Sequence, residues 1–93
     1  MKLIYCRVCG DVVKLLTVER SCHCGYSGGM YEADGVHAHI KGEAIPLGIT
    51  NGPFAQAINH RPYGGAGAYK QGKRFEAFVI PRRAPTINGG RET

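Results

Sequence analysis

Cys6-Arg7-Val8-Cys9-Gly10 and Cys22-His23-Cys24-Gly25 decide how this 93-residue chain is read. All four cysteines fall in these two segments, as C-x-x-C and C-x-C with twelve residues between them. In a reducing compartment such a cluster favours metal over disulfides. Four soft thiolates suit the tetrahedral coordination of one zinc ion. The turn of a C-x-x-C segment sets two sulfurs close enough to share an ion. Gly10 lets the backbone curl so that amide N–H groups aim at those sulfurs. In the C-x-C segment, residues i and i+2 of an extended strand point the same way, which puts the Cys22 and Cys24 sulfurs on one side. His23 then points away, with replacement of one cysteine as its alternative role. The expected site is one structural zinc per chain on Cys6, Cys9, Cys22 and Cys24.

Rival chemistries are fewer in support. A redox dithiol lacks the surrounding βαβ pattern of thioredoxin-like proteins. A catalytic zinc needs an open position, which four thiolates do not leave. Unmetallated thiols and an iron or iron–sulfur site stay open as alternatives. Cys6-Arg7-Val8-Cys9-Gly10 resembles one half of a zinc ribbon, and the twelve-residue gap suits a β-hairpin that brings the two pairs together. The resemblance covers residues 1–26 and implies a structural zinc. The single residue between Cys22 and Cys24, where a ribbon has two, departs from that pattern. The rest of the chain is similar to small bacterial and phage proteins that carry a Cys pair ahead of a compact α+β module, a likeness that implies no activity.

Outward from the cysteines, Lys2 to Tyr5 reads as a short strand. Asp11 to Val18 reads as a second strand or a short helix capped by Asp11, and Tyr26 to Gly29 as a turn. Residues 30–33 look extended, and Asp34-Gly35 signals a hairpin. Residues 36–40 follow as a strand with Val36, Ala38 and Ile40 on one face and His37 and His39 on the other. Residues 44–49 alternate, so Ile45, Leu47 and Ile49 share a face, while Pro46 argues for an edge strand or a bulge. Thr50 or Asn51 caps a helix over about residues 53–60, with Pro53 in its first turn and a stop before Pro62. Phe75 to Ile80 is a strand, stopped by Pro81. The fold class is α+β: an N-terminal zinc-ribbon-like hairpin packs on a small antiparallel sheet of 30–33, 36–40, 44–49 and 75–80, with one short helix. One domain spans 1–93, divided into a zinc-knuckle region (1–29), an α+β module (30–81) and a polar tail (82–93). The expected core is Ile4, Val12, Leu15, Val36, Ala38, Ile40, Ile45, Leu47, Ile49, Phe54, Ile58, Phe75, Ala77 and Val79.

Secondary candidates each have a plain structural reading. His37 and His39 form an H-x-H pair that would need Glu32, Asp34 or His60 to complete a metal site; two solvent-facing histidines is the simpler account. The glycine-rich stretch 63–74 offers Tyr63 and Tyr69 for stacking on a base and Lys70, Lys73 and Arg74 for an anion. It lacks the G-x-x-x-x-G-K-[ST] order of a P-loop, and a solvated connector is the competing reading. Asn51 and Asn59 read as helix-flanking turn residues, and Arg82, Arg83 and Arg91 as a solvated tail.

Composition sets the function classes. Charged residues make up 20% and hydrophobic ones 43%, which suits a globular rather than a disordered chain. The formal charge of +5 assumes neutral thiols. Four zinc-bound thiolates and the ion together bring it to about +3. So mild a basic bias permits nucleic acid without demanding it. No apolar run is long enough to span a membrane, and the N-terminus has no signal-peptide pattern, so a cytoplasmic location is expected. No Ser-His-Asp or Cys-His-Asp order is present, and Glu32, Asp34 and Glu43 form no acid/base pair, so no enzyme is expected. The expected function is a zinc-stabilised binding or adaptor protein that recognises an unknown protein partner; a homo-oligomer is compatible with it. The alternatives are a basic nucleic-acid-binding zinc ribbon, and a phage or bacterial regulator that holds a small anionic, nucleotide-like ligand in the 63–74 loop.

Overall fold

The computed structural model describes residues 1–61, 74–81 and 83–89. Lys2-Leu3-Ile4-Tyr5-Cys6 forms β1 (Lys2–Cys6), whose β-branched and aromatic residues suit a pleated, half-buried strand. It pairs antiparallel with β2 (Val12–Lys14) on one side. On its other side lies β6 (Ala44–Ile49), also antiparallel. Strand β7 (Ala77–Val79) pairs with β6 and completes a first sheet in the order β2-β1-β6-β7. The second sheet has the order β3 (Arg20–Ser21), β4 (Ser27–Tyr31), β5 (Ala38–Gly42), β8 (Ile87–Gly89). Its last pair is parallel. Helix α1 (Asn51–Asn59) follows β6. The class is therefore α+β, built on two small sheets among the described residues. No described helix is long and apolar enough to cross a membrane.

The core lies between the sheets. Ile4, Cys6, Val13 and Ala44 of the first sheet cluster with Ala38 and Ile40 of the second, joined by Leu15, Cys22, Ile80 and Ile87. The strand register explains which residues go inside. Ile4 lies opposite both Val13 and Pro46, and Cys6 opposite Ala44, so these share the inner face. The buried face of β6 carries Ala44, Pro46 and Gly48, and the Phe78 ring of β7 fills the space a Cβ at Gly48 would take.

The chain crosses from β5 of one sheet to β6 of the other with only Glu43 between them. Gly42 makes this possible. Its φ is +69°, and a Cβ there would overlap the Tyr26 carbonyl.

Several expectations are corrected. The chain forms two sheets because β5 and β6, read as neighbours in one sheet, turn apart at Gly42. Residues 27–29 belong to β4, not to a turn. Gly28 and Gly29 are strand residues against which Lys41 and the His39 carbonyl pack at 2.8 Å from any added Cβ. The hairpin loop spans 32–37, longer than Asp34-Gly35 alone. In it the Asp34 carboxylate accepts the N–H groups of Val36 (2.9 Å) and His37 (3.0 Å) and pairs with the His37 ring. These bonds, Val36's first, hold the Asp34 carboxyl down to about 2. Val36 is thus a loop residue, 50% exposed, and His37 does not share a strand face with His39.

Ile45, Leu47 and Ile49 do share a face, but it is the outer one, and they are half-buried there. Val12 is exposed where Val13 is buried, because β2 presents only its central residue inward. All of β7 is exposed, as are Phe75 and Ile58, while Phe54 is half-buried. Phe54 and Phe75 meet edge to face, their centroids 4.8 Å apart. The helix begins at Asn51, two residues early, with Thr50 as an N-cap that makes no side-chain bond.

Pro46 sits in a central strand rather than at an edge. The Pro46 carbonyl accepts the Ile80 N–H at 2.9 Å, so the absent Pro46 N–H falls opposite Ile80, just past the end of β7, where almost no ladder is lost. The segment read as a polar tail contains β8, with Ile87 buried opposite Ala38.

Two glycines with φ of +69° separate backbone strain from crowding. Gly35 has open space around its missing Cβ, so Gly35→Ala should cost about 1–2 kcal/mol in chemical denaturation. Gly42→Ala should cost more than about 3 kcal/mol, because overlap with the Tyr26 carbonyl adds to the same strain. Equal losses at the two positions would contradict the β5–β6 corner.

Candidate metal centre

Two hairpin tips meet at one end of the sheets. The first connects β1 to β2. Cys6 ends β1, the chain turns through Arg7, Val8 and Cys9, and the Gly10 N–H donates to the Cys6 carbonyl at 2.9 Å. The second connects β3 to β4, and there the Gly25 N–H donates to the Cys22 carbonyl at 3.1 Å. Both glycines have positive φ, +76° and +81°, which closes each turn. The plan is the same in both, with one residue fewer in the second, as its C-x-C spacing requires. Cys24 therefore reaches the site from a turn, not from a strand shared with Cys22; the i, i+2 strand argument does not apply here.

The four sulfurs lie within 4.8 Å of one another. Cys6 Sγ and Cys24 Sγ are 3.8 Å apart, and Cys22 Sγ and Cys24 Sγ are 3.5 Å apart. Four thiolates placed tetrahedrally at about 2.3 Å from one ion have edges of about 3.8 Å, so the arrangement fits a single metal. Backbone donors already point at the buried sulfurs. Val8 N–H donates to Cys6 Sγ (3.3 Å), and Ser27 N–H to Cys22 Sγ (3.4 Å). Cys6 and Cys22 are buried, whereas Cys9 and Cys24 are exposed. One further bond ties the two tips: the His23 N–H donates to Asp11 Oδ2 at 2.8 Å.

The electrostatics are those of thiols competing for few protons. The Ser27 hydroxyl, with help from the Cys9 and Val8 N–H groups, lowers Cys6 to about 6 against the opposing effect of burial. Cys22 is also lowered: burial opposes this, but the Ser27 N–H prevails. The Tyr26 N–H favours the Cys24 thiolate, yet desolvation and the three neighbouring sulfurs push Cys24 up to about 12. Negative charges this close cannot all form without a cation among them. A metal ion held by the four sulfurs would supply that charge.

The other sequence candidates do not join this group. His23 is exposed, and only its backbone takes part. Among the described residues the cysteines are the one set of three or more potential ligands, so His37, His39, Glu32, Asp34 and His60 assemble no second site. Glu32 instead accepts from Asn88 (2.7 Å). Asn51 lies in the first turn of α1, where its Oδ1 accepts from the Met1 amine at 2.8 Å; Asn59 ends that helix. Tyr63, Tyr69, Lys70, Lys73, Arg82 and Arg91 lie outside the described residues; Arg74 and Arg83 are exposed. Sequence reasoning missed Asp11 as the bridge between tips, and it missed Ser27. Their signal was position: each is the polar residue closing a cysteine turn.

Compared with known proteins, the chain matches no family model, no curated protein and no solved structure.

Each single Cys→Ser variant should lose the metal, and removing the metal with a chelator should lower stability by about 4 kcal/mol or more. Metal retention should fall as the pH is lowered, since protons compete for the thiolates. Thermal melts of loaded and chelated protein across pH check both expectations. An unchanged melting curve for Cys9→Ser would argue against the site.

Proposed function

We propose that this chain is a zinc-stabilised binding module of zinc-ribbon type, acting by recognition of another protein rather than by catalysis. Zinc is the favoured metal because four cysteine sulfurs within 4.8 Å of one another match its preference for thiolates, and a full set of thiolates leaves no position for water or substrate. Two hairpin tips, each with a glycine closing its turn and an N–H aimed at a sulfur, support the ribbon comparison. Reduced thiols suit a cytoplasmic setting.

The observation that carries the recognition reading is the outer face of the first sheet. The register puts Val12, Tyr5 and Ile45 side by side, then Leu3, Leu47 and Val79 with Lys14 beside Leu3 on the β2 edge, then Ile49 and Ala77. The second sheet packs against the opposite face. On this outer side Tyr5, Val12 and Val79 are 38%, 51% and 65% exposed. A contiguous apolar surface of this kind marks a site for protein contact. The partner surface that fits is itself apolar and roughly flat.

A photo-cross-linking residue at position 79 should give a defined protein adduct in the cells that make this chain. The same residue at position 41, on the outer side of the second sheet, should not. Equal capture from both positions, or an adduct with nucleic acid instead of protein, would overturn this reading.

A further inference from the structure

The two tips close differently. In the first, the Val8 N–H lies inside the turn and donates to Cys6 Sγ at 3.3 Å. In the second, the residue two along from Cys22 is Cys24 itself, and Cys22 Sγ takes its bond at 3.4 Å from Ser27, beyond the turn. The short C-x-C turn therefore has less to hold it from within. Asp11 holds it from outside. The Asp11 carbonyl accepts the Cys6 N–H at 2.9 Å, which closes the first tip. Asp11 Oδ2 accepts the N–H of His23 at 2.8 Å, and His23 is the single residue between Cys22 and Cys24. Among the described residues this is the one hydrogen bond between the tips that involves no sulfur.

We infer that Asp11 is a positioning residue of the metal centre, whose carboxylate sets the Cys22–Cys24 pair against Cys6 and Cys9 by holding the His23 backbone. This inference rests on the metal-centre reading above. The peptide unit is planar, so fixing the His23 N–H orients the link back to Cys22, and Cys24 lies only one residue further on. A hydrogen bond to a carboxylate is shorter and stronger than one to a neutral acceptor, which suits it to hold a turn that solvent can reach. Outer partners of this kind orient metal ligands without touching the ion. The acceptor matters here rather than the charge, because a further negative charge near thiolates only repels them. An uncharged side chain of the same shape, with an oxygen in the same place, should therefore serve nearly as well.

Asp11→Ala removes the carboxylate and keeps the backbone carbonyl that closes the first tip. Asp11→Asn keeps an oxygen acceptor and drops the charge. The full chain loaded with zinc, and separately with cobalt(II), reads the consequence. Competition against a chelator should show zinc bound roughly tenfold more weakly by Asp11→Ala, and within about threefold of the parent by Asp11→Asn. The visible ligand-field bands of cobalt should shift in Asp11→Ala, because the sulfur tetrahedron is distorted, and should match the parent in Asp11→Asn. In the zinc-loaded parent the His23 amide proton should exchange slowly with solvent. In zinc-loaded Asp11→Ala it should exchange roughly tenfold faster or more.

Zinc affinity of Asp11→Ala within about twofold of the parent, with unmoved cobalt bands, would overturn the inference. So would Asp11→Asn as impaired as Asp11→Ala, which would assign the effect to charge. Fast exchange of the His23 amide in the loaded parent would overturn it without any variant. A parent chain that binds neither zinc nor cobalt would instead defeat the metal-centre reading.

Discussion

Sulfur brought to one point from two hairpin tips is the constraint on which the rest of this structure depends. Cys6 and Cys9 come from the β1–β2 turn of the first sheet, and Cys22 and Cys24 from the β3–β4 turn of the second. A metal held there would fasten the two sheets at one corner. The β5–β6 corner lies beside it: Gly42 is opposite Ser27, Ala44 is opposite Cys6, and the Glu43 carbonyl accepts the Arg7 N–H at 3.2 Å.

The core is small. Its large buried side chains are few, Ile4 and Leu15 foremost, and two of its members are the cysteines themselves. Ala38, Ala44 and Ala57 fill much of the remaining buried positions. A chain of this length buries only roughly 60–65% of the surface its unfolded state exposes, so its hydrophobic stabilisation is modest. A structural metal is a usual remedy at this scale, and binding free energy becomes folding free energy when the site exists only in the folded chain. The same economy of core explains the outer face of the first sheet. Ile45, Leu47 and Val79 are apolar residues that the second sheet, already packed on the inner side, does not cover.

How much could be read from sequence follows the range of the interaction involved. The grouping of the four cysteines was legible because cysteine chemistry is local and its spacing short. Strand β6 was legible at its bounds, since Ala44 to Ile49 alternates cleanly, but its buried face was not. Period two says which residues lie together, and only the position of the second sheet says which side is inward. Gly28 and Gly29 looked like a turn because glycine usually marks one. Here they are strand residues that let Lys41 and the His39 backbone come close, a long-range reason invisible in the local pattern. Ile87 looked like a lone apolar residue in a polar tail, and its parallel pairing with Ala38 joins positions far apart in the chain.

The central claim is that the four cysteines jointly bind one metal ion and so join the sheets. X-ray absorption at the zinc edge of the purified protein tests it most directly. The account predicts a single shell of four sulfurs at about 2.3 Å from zinc. A shell containing nitrogen or oxygen donors, or protein that carries no metal, would contradict it.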